Sequence, residues 1–99
     1  MENKTDIIPV LVTTLHRGVF FGYSDGKVTP EKRISLKRAR NCLYWSSDVK
    51  GFLGLASIGP SSSCRIGPSV ESLELLDVTS VSTVTPEAVE KWEKHPWSL

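Results

Sequence analysis

The residue pattern predicts an α+β domain: a small, mainly antiparallel β-sheet or partly open barrel carrying two short helices, in the order ββββ-α-ββ-α. Three observations carry that prediction. Short runs of β-branched residues recur with turn residues between them. Apolar residues fall at helical spacing in one interior stretch, and a hydroxyl–proline–acid sequence opens a second helix near the C-terminus. A chain of 99 residues holds one domain, 1–99, with no room for a second.

Pro9-Val10-Leu11-Val12-Thr13-Thr14 reads as the first strand and Val19-Phe20-Phe21-Gly22-Tyr23 as the second. Leu15-His16-Arg17-Gly18 between them is short enough for a hairpin turn. Ser24-Asp25-Gly26-Lys27 is a further turn signal, and the chain to Glu31 is then a loop. Arg33–Leu36 and Ala39–Trp45 read as two more strands around a tight turn at Lys37-Arg38.

Val49, Phe52, Leu53 and Ala56 recur at i, i+3, i+4 and i+7 after Ser46-Ser47-Asp48, which predicts a capped helix stopped by Gly59-Pro60. Gly51 and Gly54 weaken it by up to about 1 kcal/mol each, so it depends on packing. Residues 61–68 form a loop with room for one short strand. Ser72–Leu76 and Thr79–Val84 are the last strands. Thr85-Pro86-Glu87 combines a hydroxyl cap, proline at the first helical position and an acid in the first turn. Ala88, Val89 and Trp92 then share one stripe, and Pro96 ends the helix.

The composition, 39% hydrophobic with a net charge of +1, is too apolar and too balanced for a disordered tail. The balance hides an asymmetry: residues 1–70 carry ten Lys or Arg against five Asp or Glu, residues 71–99 two against six. Lys27, Lys32, Arg33, Lys37, Arg38 and Arg40 face only Glu31. Such a run attracts phosphate, although a solvated face is the commoner outcome. A long nucleic acid would ask for more positive charge overall, whereas a small anion would not. The polar start, Met1 to Asp6, and the lack of a span-length apolar run imply neither export nor membrane insertion. The expected compartment is therefore reducing, with Cys42 and Cys64 as buried small hydrophobes. A metal site from Cys42, Cys64, His16 and His95 would lack any close ligand pair.

No catalytic signature is present. Ser46-Ser47 and Ser61-Ser62-Ser63 are not set in a nucleophile elbow, and no phosphate loop or dinucleotide fingerprint occurs. His16 in its turn reads as a surface or partner-binding residue. The densest chemical signal is Lys37-Arg38-Ala39-Arg40-Asn41-Cys42-Leu43-Tyr44-Trp45-Ser46-Ser47. Aromatic faces stack bases, guanidinium groups pair with phosphate, and an Asn amide reads a base edge. The bland alternative is a core strand with charges toward water. Tyr44 and Trp45 must point to opposite faces, so a one-sided sheet cannot bury both.

The ordered motifs Val10–Thr14, Arg17–Gly22 and Ile34–Trp45, with Leu55-Ala56-Ser57-Ile58-Gly59 after them and Cys64-Arg65, Pro86 and Trp97 beyond, resemble a family of small proteins encoded by phages and prophages. Its pattern is Leu-Lys-x-Ala-Arg-x-x-x-Tyr-Trp, here residues 36–45, and the likeness covers nearly the whole chain. Phage proteins of this size include sponges, which bind host cyclic-nucleotide alarm signals and withhold them from immune effectors. By that analogy the chain is a non-enzymatic anti-defence protein of the host cell cytoplasm that sequesters a signal such as cyclic GMP-AMP, without a cofactor. Trp45 or Tyr44 would stack a base and Asn41 would contact an edge, while Arg40, Arg65, Lys37 or Arg17 would meet phosphate. The alternative is a protein–protein inhibitor or virion accessory factor. Val49, Phe52, Leu53, Leu55, Val89, Trp92 and Trp97 exceed what one thin sheet needs, which predicts a homo-oligomer, most simply a dimer.

Overall fold

The computed structural model describes residues 7–15 and 18–96, so His16, Arg17 and Trp97 lie outside the described residues. The fold is α+β, as the pattern predicts. Strands β1 (Ile8–Thr14), β2 (Val19–Ser24), β3 (Ile34–Tyr44), β4 (Arg65–Ile66), β5 (Val70–Leu75) and β6 (Val78–Thr83) form one open sheet, joined by helices α1 (Phe52–Ser57) and α2 (Pro86–Lys94). The strand order is β4-β3-β2-β1-β6 and every pairing is antiparallel, with β5 also against β3. β4 and β5 lie end to end along the same edge of β3.

β5 and β6 sit at opposite sides of this order, yet only Leu76 and Asp77 join them. The sheet must therefore curl strongly toward itself. Two backbone bonds pin the return, Leu15 N–H to Asp77 O at 2.9 Å and Val78 N–H to Lys32 O at 3.0 Å. Curling gives the sheet two buried faces. Val10, Val12, Ile34, Leu36, Ala39, Leu75 and Val78 fill the inner one. Leu11, Val19, Phe21 and Tyr23 pack outward against Val49, Leu55, Ala56, Ala88 and Trp92 beneath the helices. That is why Val10, Leu11 and Val12 are consecutive apolar residues with no polar alternation.

The two strands expected around a turn at Lys37-Arg38 are instead one strand of eleven residues. Arg38 adopts the left-handed conformation (φ 51°), and the pairing steps from Phe21↔Arg40 to Tyr23↔Lys37, three residues against two. The residues that read as a turn are thus a β-bulge, which keeps Ile34, Leu36 and Ala39 on the same inner face. The order is accordingly three strands, a helix, three strands and a helix.

The first helix is shorter than its spacing suggests. A 3₁₀ turn at Ser47–Val49 is cut off by Lys50, which is left-handed (φ 67°), and by Gly51, also at positive φ (84°), before α1 begins. Leu53 drops out of the expected stripe and is 61% exposed, while Leu55 is fully buried. Gly54 does more than weaken the helix: a Cβ there would overlap the Val49 carbonyl oxygen. α2 begins as predicted, with the Thr85 hydroxyl accepting the Ala88 N–H at 3.1 Å and Pro86 in the first turn.

Tyr23 ties β2 to α2. Its hydroxyl donates to the Glu93 carboxylate, and the Arg38 guanidinium lies 4.2 Å above its ring. Burial first, then the hydrogen bond and charge of Glu93, push the phenol up from 10.0 to about 12. A raised pKa means that folding favours the protonated form. The stabilisation is complete below the unfolded value of 10.0 and is lost as pH rises through about 12. The thermal midpoint of the wild type should therefore fall more steeply across that interval than that of Tyr23→Phe. Equal slopes in circular dichroism melts would remove this linkage.

Candidate functional site

The fold builds a groove of about 530 Å³ where the end of β1, the start of β2, the segment after β3, the start of α1 and β6 meet. Trp45 and Phe52, both half-buried against the outer core, line it with Val19. Thr13, Thr79 and Ser80 supply hydroxyls, and the register that sets Thr13 opposite Ser80 joins them in a chain. Thr13 Oγ1 lies 2.7 Å from Thr79 Oγ1 and 2.5 Å from Ser80 Oγ. An aromatic wall facing a row of hydroxyls offers stacking to a flat ring and hydrogen bonds to its polar edge.

A second groove, of about 450 Å³, lies between the end of β2 and the start of β3. Lys27, Arg33 and Lys37 line it, offset by Asp25 and Glu74. Arg33 is held by Glu74 at 3.3 Å.

These positions divide the seven residues singled out in the sequence. Trp45 lines the first groove and Lys37 the second. Tyr44, 53% exposed, stands opposite the exposed Arg65 in the β3–β4 ladder, one residue from Trp45. Asn41 is half-buried, and its carbonyl accepts the Gly67 N–H at 2.9 Å. Arg17 lies outside the described residues.

Arg40 corrects the expectation of a phosphate contact. It is 7% exposed, its Nε donates to Gly67 O at 2.8 Å, and its Nη1 donates to Trp92 O at 2.8 Å and His95 O at 2.7 Å. The guanidinium therefore clamps the C-terminal carbonyls of α2 to the bend between β4 and β5. Burial lowers its pKa, and the carbonyl dipoles hold the charge in place.

The serine runs also take structural roles. Ser46 and Ser61 both donate to Asp48, the latter at 3.2 Å, and hold its carboxyl below the usual range, the Ser46 bond contributing most. His95 Nε2 lies 2.9 Å from Ser61 O. Burial and the neighbouring Cys64 push the Cys42 thiol up to about 12. Among the described residues no three His, Cys, Asp or Glu side chains form a metal-holding group.

The hydroxyls of the first groove had no local signal. Thr13 and Ser80 are 67 residues apart in the chain and meet only because β6 pairs with β1. Phe52 was legible only as a core residue.

A curled antiparallel sheet, two helices packed on its outer face and an aromatic–hydroxyl groove define a small α+β domain with a binding-sized surface. Residues 7–92 match the family described as Domain of unknown function (DUF6948), and the chain belongs to that family. No curated protein and no solved structure matches it. No helix among the described residues is long and apolar enough to cross a membrane.

Proposed function

We propose that this chain is a non-enzymatic, phage-encoded accessory protein of the host cytoplasm that binds a small anionic nucleotide and holds it intact as a homo-oligomer. Cyclic GMP-AMP is the representative ligand. The observation that carries the reading is the Trp45–Phe52 groove with its Thr13, Thr79 and Ser80 hydroxyls. A base stacks on Trp45 while the hydroxyls meet its edge. Phosphate would be met by Arg65, Lys37 or Arg17, of which Arg65 and Lys37 do not themselves line this groove. Arg40 is not assigned to the ligand, because its described bonds are to backbone carbonyls.

Calorimetric titration with cyclic GMP-AMP and other cyclic di- and trinucleotides tests this. Stacking contributes about 1–3 kcal/mol per base, so Trp45→Ala should weaken binding roughly 5- to 150-fold while Trp45→Phe retains most of it. Trp45 also packs against the core, so circular dichroism must first show that each variant is folded. Heating the complex should release unaltered nucleotide. Absence of binding to every cyclic nucleotide tested would overturn the reading, and recovery of a linear product would replace sequestration with hydrolysis.

One observation favours a second reading, an inhibitor or virion factor that docks on a protein. Leu43 and Tyr44, adjacent at the end of β3, are each 53% exposed. A stoichiometric host or phage protein retained by the wild type and lost from a Leu43→Ser, Tyr44→Ser variant would select it.

A further inference from the structure

The apolar surplus that predicts an oligomer is largely consumed inside the chain. Val49, Leu55 and Trp92 are buried, and Phe52 and Val89 pack against the same cluster. The helices therefore leave little of the expected contact surface, and the two edges of the sheet become the places to examine.

Those edges differ. On the β3 side the outer strand is broken into β4 and β5 by Gly67-Pro68-Ser69, and β5 carries Glu71 and Glu74. Breaks, proline and charge are the devices that keep an edge from pairing with another chain. On the other side β6 ends the strand order, and among the described residues no strand pairs with its far edge. Val78-Thr79-Ser80-Val81-Ser82-Thr83 holds no charge and no proline. Its start is covered, since Val78 N–H bonds Lys32 O at 3.0 Å and the pairing with β1 bulges at Thr79, but from Ser80 on no described strand, charge or proline guards it.

Its sequence is also self-complementary. Thr79-Ser80-Val81-Ser82-Thr83 reads the same in both directions about Val81. The hydrogen-bond phase fits this centre. Val84 N–H bonds Pro9 O at 3.2 Å, and the register continues through Leu11↔Ser82 and Thr13↔Ser80. Peptide groups alternate sides along a strand, so those of Val81 and Thr83 face away from β1. An antiparallel partner centred on Val81 can therefore exchange both backbone bonds at the axis.

We propose that β6 pairs antiparallel with β6 of a second copy about a two-fold axis through Val81. That register sets valine against valine and Ser80 against Ser82, with Thr83 meeting the bulged Thr79, and hydroxyl pairs of this kind are favourable across strands. It opposes no like charges. The inference deepens the assembly half of the proposed function and identifies the surface that forms the oligomer. Thr79 and Ser80 line the Trp45 groove, so the axis brings the grooves of both copies to one junction.

Light scattering and sedimentation on the full chain test it, with circular dichroism as the folding control. Thr83→Pro removes an N–H that faces away from β1 at an exposed position, so the internal ladder survives while both ends of the symmetric pairing lose a bond. Val81→Lys brings two ammonium groups near the axis, and because Val81 also packs against the inner core its fold is checked first. The wild type should reach twice 11.0 kDa at high concentration, and each folded variant should remain at 11.0 kDa or dissociate at least about tenfold more readily. A wild type that stays at 11.0 kDa throughout, or a dimer unchanged in folded Thr83→Pro, overturns the inference. If Thr83→Pro does not fold, Val81→Lys decides on the same criterion. If neither folds, Thr83→Gly, which keeps the backbone N–H but removes the hydroxyl from the pairing, decides on that criterion. Nucleotide titration of the same proteins is a separate readout. A β6-dependent dimer that binds no nucleotide would leave this inference standing and remove the ligand reading.

Discussion

Arg40→Ala should destabilise the domain by about 3–5 kcal/mol, the range for removing one side of a buried charged hydrogen-bond set. The guanidinium is buried, and its loss leaves the carbonyls of Gly67, Trp92 and His95 without their donor. Two of those carbonyls lie at the C-terminal end of α2, where helix geometry leaves oxygens unpaired and favours a cation. Against a typical total of about 5–15 kcal/mol for a small domain, the change removes a large share of the stability. Arg40→Lys should recover little, because one ammonium cannot span the fork from Gly67 O to Trp92 O and His95 O. Urea unfolding followed by circular dichroism measures both variants. A loss below about 1 kcal/mol in Arg40→Ala would show that water replaces the clamp without difficulty.

The second large effect is expected from Trp92→Ala, at about 3–5 kcal/mol. The Trp92 side chain is fully buried and stacks on Phe21 with ring centroids 5.1 Å apart and planes within 6°. Its Nε1–H donates to Leu55 O at 2.9 Å, so one residue on α2 holds both the sheet and the end of α1. Truncation opens a cavity between three elements and orphans that carbonyl. Trp92→Phe should cost clearly less, since it restores most of the volume and loses the hydrogen bond alone. Equal losses in the two variants, measured by urea unfolding, would show that the hydrogen bond and not the packing dominates.

Both residues were visible in the sequence in unequal degree. Trp92 falls on the apolar stripe of a helix whose start, Thr85-Pro86, is written in local chemistry. Arg40 sits in a basic run that resembles a ligand grip, and only its burial and its three carbonyl partners reveal a structural clamp. The same division runs through the candidate site. Trp45 was identifiable as an aromatic that a one-sided sheet could not bury together with Tyr44. Thr13, Thr79 and Ser80 were not, since a hydroxyl in a strand has no meaning until its neighbour across the sheet is known.

By itself the sequence determined the fold class, the extent of four of the six strands to within a few residues, and the start of α2. These follow from interactions between residues close in the chain: β-branched runs, turn residues and caps act over a few positions. The tertiary structure alone decided that Lys37-Arg38 is a bulge inside one strand, since a left-handed residue forms a turn or a bulge according to whether the strand beside it continues to pair. It alone decided that the sheet curls until Leu76 and Asp77 suffice to join its opposite sides, that Arg40 faces carbonyls, and that β6 ends the strand order with its later residues unpaired by any described strand on their far edge. Each depends on which strands lie side by side, and pairing between residues more than sixty positions apart is set by the burial of both faces of the whole sheet, which no local stretch of residues encodes.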